Sequence, residues 1–345
     1  MARGEKWYLN KVPLEIVNSF KYLGYTFTTK LSENVALDSV TTKAKQKIVS
    51  LLRTMWILHS YKPSIFFKLF DAQIQPSLLY ASELWGLKEQ LAVERAHLFA
   101  CKRFLNVSTK TLNNMVYGET GRFPLLINST MRAISYWLKL HRMSHDRLPR
   151  QALYMLEEAQ IPEERNWLLS VRNCLCRLGF AFVWLNRGVQ NEASFLKEFK
   201  LRLQDCFRQD WHFKINENDR FLPYSVIKNS FELEKYLSTV NIKKFRDAMV
   251  RFRLKVSGLH SHNVMNGQEM HCPFCTDKTE DERHFLLECD TYKDIREKYL
   301  QRYMQYIPYR SYMFLIDGQG QMKTKHTAMF IHYALKRRRQ LIQEE

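Results

Sequence analysis

Nowhere in the 345 residues is there a run of about eighteen apolar side chains, so no segment reads as a membrane-crossing helix. The first residues, Met1-Ala2-Arg3-Gly4-Glu5-Lys6, carry no apolar signal core, from which we expect no secretory leader. Tandem repeats and low-complexity linkers are missing too, and 46% apolar residues exclude a disordered chain; two or three lobes are expected. Cysteine is too sparse for a disulfide frame. Cys101, Cys174, Cys176 and Cys206 are scattered through helical or aromatic patterns and read as buried free thiols of a reducing compartment. We therefore expect a soluble intracellular protein, of nucleus or cytoplasm, with no membrane partner.

Acidic residues are the scarcer charge. Against 35 Asp and Glu stand 53 Lys and Arg, a net charge of +18, and residues 1–150 hold most of the excess with 22 basic and 10 acidic side chains. Such a field attracts phosphate polyanions. With 22 Phe, 17 Tyr and 7 Trp beside it, nucleic acid (RNA, DNA or a hybrid) is the expected partner.

What the chain does contain is a set of metal-ligand residues. Cys272-Pro273-Phe274-Cys275 is followed, after eight intervening residues, by His284 and, after four more, by Cys289. Two Cys of a CxxC turn bite one metal, and a distal His and Cys complete a tetrahedral shell, so the expected cofactor is Zn2+. Four ligands leave no open position for a reacting water, which makes the site structural.

The apolar periodicity predicts a mainly α protein. Residues 14–30 are the clearest β candidate, with Gly24 at a turn or bulge. From residue 39 to 59 the period becomes helical, turning Lys43, Lys45, Lys47 and Arg53 outward. A helix is expected from Ser64 to Gln75, stopped by Pro76, then helices over 77–86 and 90–107. Pro124 opens another, Pro149 and Pro162 punctuate two more, and Gly179 kinks or separates the apolar helices of 165–185. Over 242–255 the stripe Phe245, Ala248, Met249 and Phe252 is surrounded by Lys243, Lys244, Arg246, Arg251, Arg253 and Lys255, set against one Asp247. These cations and those of the 39–59 helix are the candidate phosphate contacts. A polar loop, Gly258 to His271, leads to the Cys/His segment, and a C-terminal helix ends in Lys336-Arg337-Arg338-Arg339, a candidate nuclear signal or phosphate contact.

Several segments, taken in order, resemble reverse transcriptases of LINE-type (non-LTR) retrotransposons. Phe20-Lys21-Tyr22-Leu23-Gly24 is similar to the box after the catalytic palm, near the primer grip. Leu79-Tyr80-Ala81-Ser82-Glu83-Leu84-Trp85-Gly86 is similar to a thumb helix, followed by Glu94-Arg95-Ala96-His97, Lys102-Arg103-Phe104-Leu105 and Val116-Tyr117-Gly118-Glu119-Thr120-Gly121-Arg122-Phe123-Pro124-Leu125. His284-Phe285-Leu286-Leu287-Glu288-Cys289 resembles the family's CCHC element downstream of the polymerase. The resemblance runs from about Asn18 to about Leu300 and rests on order and spacing rather than on any one box. It implies a remnant of the last palm strand over 1–30, a thumb-like helical region over 31–150, connecting helices over 151–257, a CCHC zinc knuckle over 258–300 and a basic C-terminal helix over 301–345. Other parts of the polyprotein would then be partners.

The departures bear on activity. Two-metal phosphoryl transfer needs clustered carboxylates, and no Asp-Asp dipeptide occurs anywhere in the chain. Downstream of Cys289, where some relatives carry a nuclease, no Asp followed by a Glu-x-Lys pattern occurs. Asp205, Cys206 and His212 form no nucleophile arrangement, and Glu280-Asp281-Glu282 is expected to solvate or buttress the knuckle. We expect a non-catalytic, zinc-stabilised nucleic-acid-binding portion of such a protein. The alternatives are one piece of an active RNA-directed DNA polymerase or a domesticated interaction protein that keeps zinc for folding.

Overall fold

A computed structural model describes residues 7–29, 34–159, 166–217, 224–262, 271–275, 277–307 and 311–344. The expected punctuation at Pro162 and most of the Gly258–His271 loop, residues 263–270, lie outside them. Two antiparallel hairpins come first. β1 (Tyr8–Leu9) pairs with β2 (Val12–Pro13), and β3 (Ser19–Tyr22) pairs with β4 (Tyr25–Thr28), Phe20 opposite Phe27. Both turns place two successive residues at positive φ, Asn10 (49°) and Lys11 (67°), then Leu23 (47°) and Gly24 (87°). Such a turn matches the right-handed twist of the strands it joins. The second hairpin is the expected β element, and the Tyr80 hydroxyl donates to the Leu23 carbonyl at 2.8 Å, tying its tip to the helices.

α1 (Asn34–Ile57) begins a little over a turn earlier than expected. Leu37, Thr41, Ala44, Ile48 and Met55 point inward at spacings of three, four and seven, which leaves the lysines between them in solvent. Next come α2 (Pro63–Leu69), a π-helical turn (Phe70–Ile74), α3 (Gln75–Leu78), α4 (Ser82–Trp85), α5 (Leu91–Leu105) and α6 (Asn113–Thr120). The expected stop at Pro76 does not occur. Proline lacks an N–H, but in the first turn of α3 that group has no intrahelical partner to lose, and the preceding π turn re-aims the chain.

α7 (Leu125–Arg142) is entered through Pro124, as expected, and approaches α4 closely. A Cβ on Gly86 would sit 2.5 Å from the Ser129 carbonyl oxygen, so only glycine fits, and its own carbonyl accepts from the Ser129 hydroxyl at 3.0 Å. α8 (Leu148–Glu158), α9 (Trp167–Arg177), α10 (Ala181–Leu185) and α11 (Glu192–Glu217) follow, α9 and α10 separated at Gly179 (φ 86°). Trp137, Leu153, Leu168, Leu175 and Phe199 from this group pack into one core.

A larger core joins α1–α6 to the end of α11 and to the rest of the chain: α12 (Tyr224–Ile227), α13 (Tyr236–Thr239), α14 (Lys243–Arg253), α15 (Lys293–Met304), α16 (Met313–Ile316) and α17 (Gln321–Glu344). Cys272 and Cys289 belong to that larger core. The architecture is thus mainly α, with a short N-terminal β element and the Cys/His cluster near the C-terminus. Of the four scattered thiols, Cys101 and Cys174 are buried, but Cys176 and Cys206 sit on the outer faces of α9 and α11 and are exposed, contrary to expectation. No helix among the described residues is long and apolar enough to cross a membrane.

Candidate metal centre and basic surfaces

The Cys272 amide donates to the Lys278 carbonyl at 2.7 Å and the Lys278 amide donates to the Cys275 carbonyl at 3.0 Å, while His271 bridges to Thr279. These bonds curl Cys272-Pro273-Phe274-Cys275 into a tight turn. His284 opens a π-helical turn, His284–Glu288, with Asp281 accepting from its amide at 2.7 Å, and Cys289 follows directly. One ligand atom from each of Cys272, Cys275, His284 and Cys289 lies within 4.8 Å of all the others.

The donor set fits a metal ion. A tetrahedral ion with metal–sulfur bonds of about 2.3 Å holds its sulfurs about 3.8 Å apart, and Cys275 Sγ and Cys289 Sγ are separated by 3.8 Å. His284 is buried, yet neither ring nitrogen makes a hydrogen bond, a loss of about 1–3 kcal/mol for an unsatisfied group. Burial pushes the Cys272 thiol up, and burial reinforced by the neighbouring thiols pushes Cys289 up to about 12. A cation at the centre would reverse that and take the thiolates.

The acidic run fastens this knuckle to the helices rather than solvating it. Glu280 is buried and accepts a two-pronged bond from Arg338 of α17, at 2.6 and 2.7 Å. Glu282 lies 3.2 Å from His262 Nε2 and 3.7 Å from Lys255 Nζ. Arg296 of α15 donates to the Leu286 carbonyl (2.9 Å) and the Cys289 carbonyl (2.7 Å), and Phe285 packs on Phe252, Tyr292 and Phe330. The module is set into the cleft between α14, α15 and α17.

The candidate phosphate contacts divide. On α1, Lys43, Lys45 and Lys47 are exposed and have no ion-pair partner among the described residues. The cations of α14 are placed differently. Arg253 is buried, its Nη2 2.8 Å and its Nε 3.1 Å from Glu119 Oε1, with Glu234 3.2 Å away. Burial works against its charge, but Glu119 and Glu234 outweigh that and raise its pKa further. Arg246 is also buried, donating to the carbonyls of Tyr61 and Leu237. The outward placement expected of Arg246 and Arg253 is therefore corrected: α14 is packed on more than one side, so positions off its apolar stripe still meet protein. Lys243 pairs with Asp247, Arg251 donates to the Asn106 carbonyl at 3.1 Å, and Lys255 faces Glu282. Lys244 is exposed, lying 5.0 Å over the Phe245 ring. In the C-terminal run, Arg337 forks onto Asp294 and Arg338 onto Glu280, leaving Lys336 and Arg339 exposed.

Sequence reasoning missed the carboxylates that consume these cations. Glu119 and Glu234 lie on separate segments and meet only through the fold, so no local pattern in the sequence announces them.

With this geometry in view, the class of protein that the chain is similar to is a retrotransposon protein. One such protein is the 115 kDa protein in type-1 retrotransposable element R1DM of Drosophila melanogaster, 24% identical over 357 residues. The match covers 95% of this chain but only 29% of the relative's length. No family model matches the chain, and no solved structure matches it.

Proposed function

We propose that the chain is a non-catalytic, nucleic-acid-binding portion of a LINE-type retrotransposon protein, a thumb-like helical body with an inlaid zinc knuckle. The observation that carries this reading is the set of unpaired lysines on α1, Lys43 and Lys47 on one side of its buried stripe and Lys45 on the other, in a +18 chain similar along nearly its whole length to a retrotransposon protein. Three thiolates and an imidazole suit zinc, and the closed shell gives it a folding role. Phosphate neutralisation through Lys43, Lys45, Lys47 and Lys244 supplies binding that is sequence-tolerant and salt-dependent. RNA, DNA or their hybrid would be held this way, beside other parts of the same polyprotein.

The test is a binding titration against single strands, duplex and hybrid at several salt concentrations. Log affinity should fall linearly with log salt; no binding at low salt would refute the reading. A second reading, a piece of an active RNA-directed DNA polymerase, is favoured by the 29% coverage of the relative. Coding sequence upstream in the parent frame decides between them, since an aromatic-x-Asp-Asp box there would restore a polymerase; from the chain alone we expect no primer extension above a denatured control, because no Asp-Asp pair is available for two-metal chemistry.

A further inference from the structure

Between α15 and α17 runs an open groove of about 380 Å³, lined by Lys298 and Tyr299 from one helix and by Tyr333, Lys336 and Arg337 from the other. Tyr299 and Tyr333 are half-buried and lie parallel, ring centroids 5.7 Å apart at 4°. Tyr333 is braced from behind by Phe245 of α14 at 5.8 Å, so the aromatic wall is fixed in place by core packing. Asp294 is the carboxylate in the groove, and both its oxygens are taken by the Arg337 fork. Lys298, whose ammonium lies 5.4 Å over the Tyr299 ring, and Lys336 are exposed and have no carboxylate partner among the described residues, so the groove keeps two ammonium groups not neutralised by an acid beside two tyrosine rings. Lys244 and Arg339 add to the same field, since both, with Lys336, disfavour the charged form of the neighbouring His332 after burial has done so.

We propose that this groove binds a single strand of nucleic acid, with backbone phosphates on Lys298 and Lys336 and one unstacked base against the Tyr299–Tyr333 wall. The inference rests on the nucleic-acid reading above and assigns it a second site, away from α1. Ammonium groups alone would fit any polyanion, but ammonium groups flanking an aromatic wall fit a chain that offers phosphates and a π face together. A duplex keeps its base faces stacked inside, and a groove of this volume admits a nucleotide rather than a helix.

The test compares wild type, Lys298→Gln/Lys336→Gln and Tyr299→Leu, binding oligouridylate and a blunt-ended duplex over a range of salt. The lysine pair should flatten the single-strand salt slope by about 1.4 units, about 0.7 per phosphate, and leave the duplex slope unchanged. Tyr299→Leu should weaken single-strand binding roughly 5- to 150-fold, with circular dichroism and zinc content as in wild type. If wild type binds single strands and the lysine pair leaves affinity and slope untouched, the groove assignment is overturned while the nucleic-acid reading stands. Equal losses on single strand and duplex overturn the single-strand assignment, and a wild type that binds neither overturns both.

Discussion

α1 and α14 carry the same written signature, an apolar stripe flanked by lysine and arginine, and the fold uses them in opposite ways. α1 has one face on the core and leaves Lys43, Lys45 and Lys47 in solvent. α14 is enclosed, and its arginines answer carboxylates and carbonyls from elsewhere in the chain. The location of buried acids decides which cations stay free. On the α1 side the buried acid is Glu94 of α5, already satisfied by His97 (2.8 Å), the Tyr117 hydroxyl (2.7 Å) and the Leu125 amide (2.8 Å). On the α14 side Glu119 and Glu234 have Arg253, and Glu282 has Lys255 and His262. A basic amphipathic helix therefore keeps its cations free only where local partners have satisfied the buried carboxylates beside it.

The largest effect should come from removing the metal, which erases the contrast by undoing the packing around α14. Closing such a site contributes on the order of 10 kcal/mol at neutral pH. Cys275→Ser should abolish stoichiometric zinc in metal analysis and raise amide exchange over residues 271–292 and in α14, while the α7–α11 core keeps its protection. A full equivalent of zinc in that variant would show the ligand set to be wrong.

Arg253→Gln comes next. It leaves Glu119 buried without its cation, and breaking a buried pair from one side costs about 3–5 kcal/mol. A denaturant midpoint unchanged from wild type would show that Arg253 is as exposed as its sequence context suggests. The triple change of Arg251, Arg253 and Lys255 to Gln, which the sequence alone would assign to weaker phosphate binding, should register first as a fall in stability.

The His97–Glu94 pair gives a smaller effect with a pH signature. Burial lowers the His97 pKa, but Cys101 and Glu94 outweigh it and hold it at about 9, above the unfolded value of about 6.5. A raised folded pKa means that its contribution, about 3 kcal/mol, is complete below pH 6.5 and lost as pH rises through 9. The stability gap between wild type and His97→Gln should therefore narrow from pH 6 to pH 10. A constant gap would indicate a neutral histidine acting by packing alone.

Much of this was readable beforehand because it is local. The Cys272/Cys275/His284/Cys289 cluster, the β3–β4 hairpin, the entry of α7 at Pro124 and the break at Gly179 follow from spacing and backbone chemistry within a few residues. What was not readable depends on distant partners. The continuation through Pro76 needed a π turn that no residue type announces, and the interior fate of Arg246 and Arg253 was set by Tyr61, Glu119 and Glu234. Lys298, Tyr299, Tyr333 and Lys336 became a groove only when α15 lay against α17. Glycine at 86 was visible as a letter, but its necessity came from the approach of Ser129.

The claim that α1 is a free phosphate-binding surface is tested most directly by the salt dependence of nucleic-acid affinity in Lys43→Gln/Lys45→Gln/Lys47→Gln beside wild type. The account predicts that log affinity against log salt flattens by about two to three units, at roughly 0.7–0.9 for each phosphate no longer neutralised, with the melting temperature unchanged. A slope identical to wild type in the folded variant would contradict it and make α1 a solvated face.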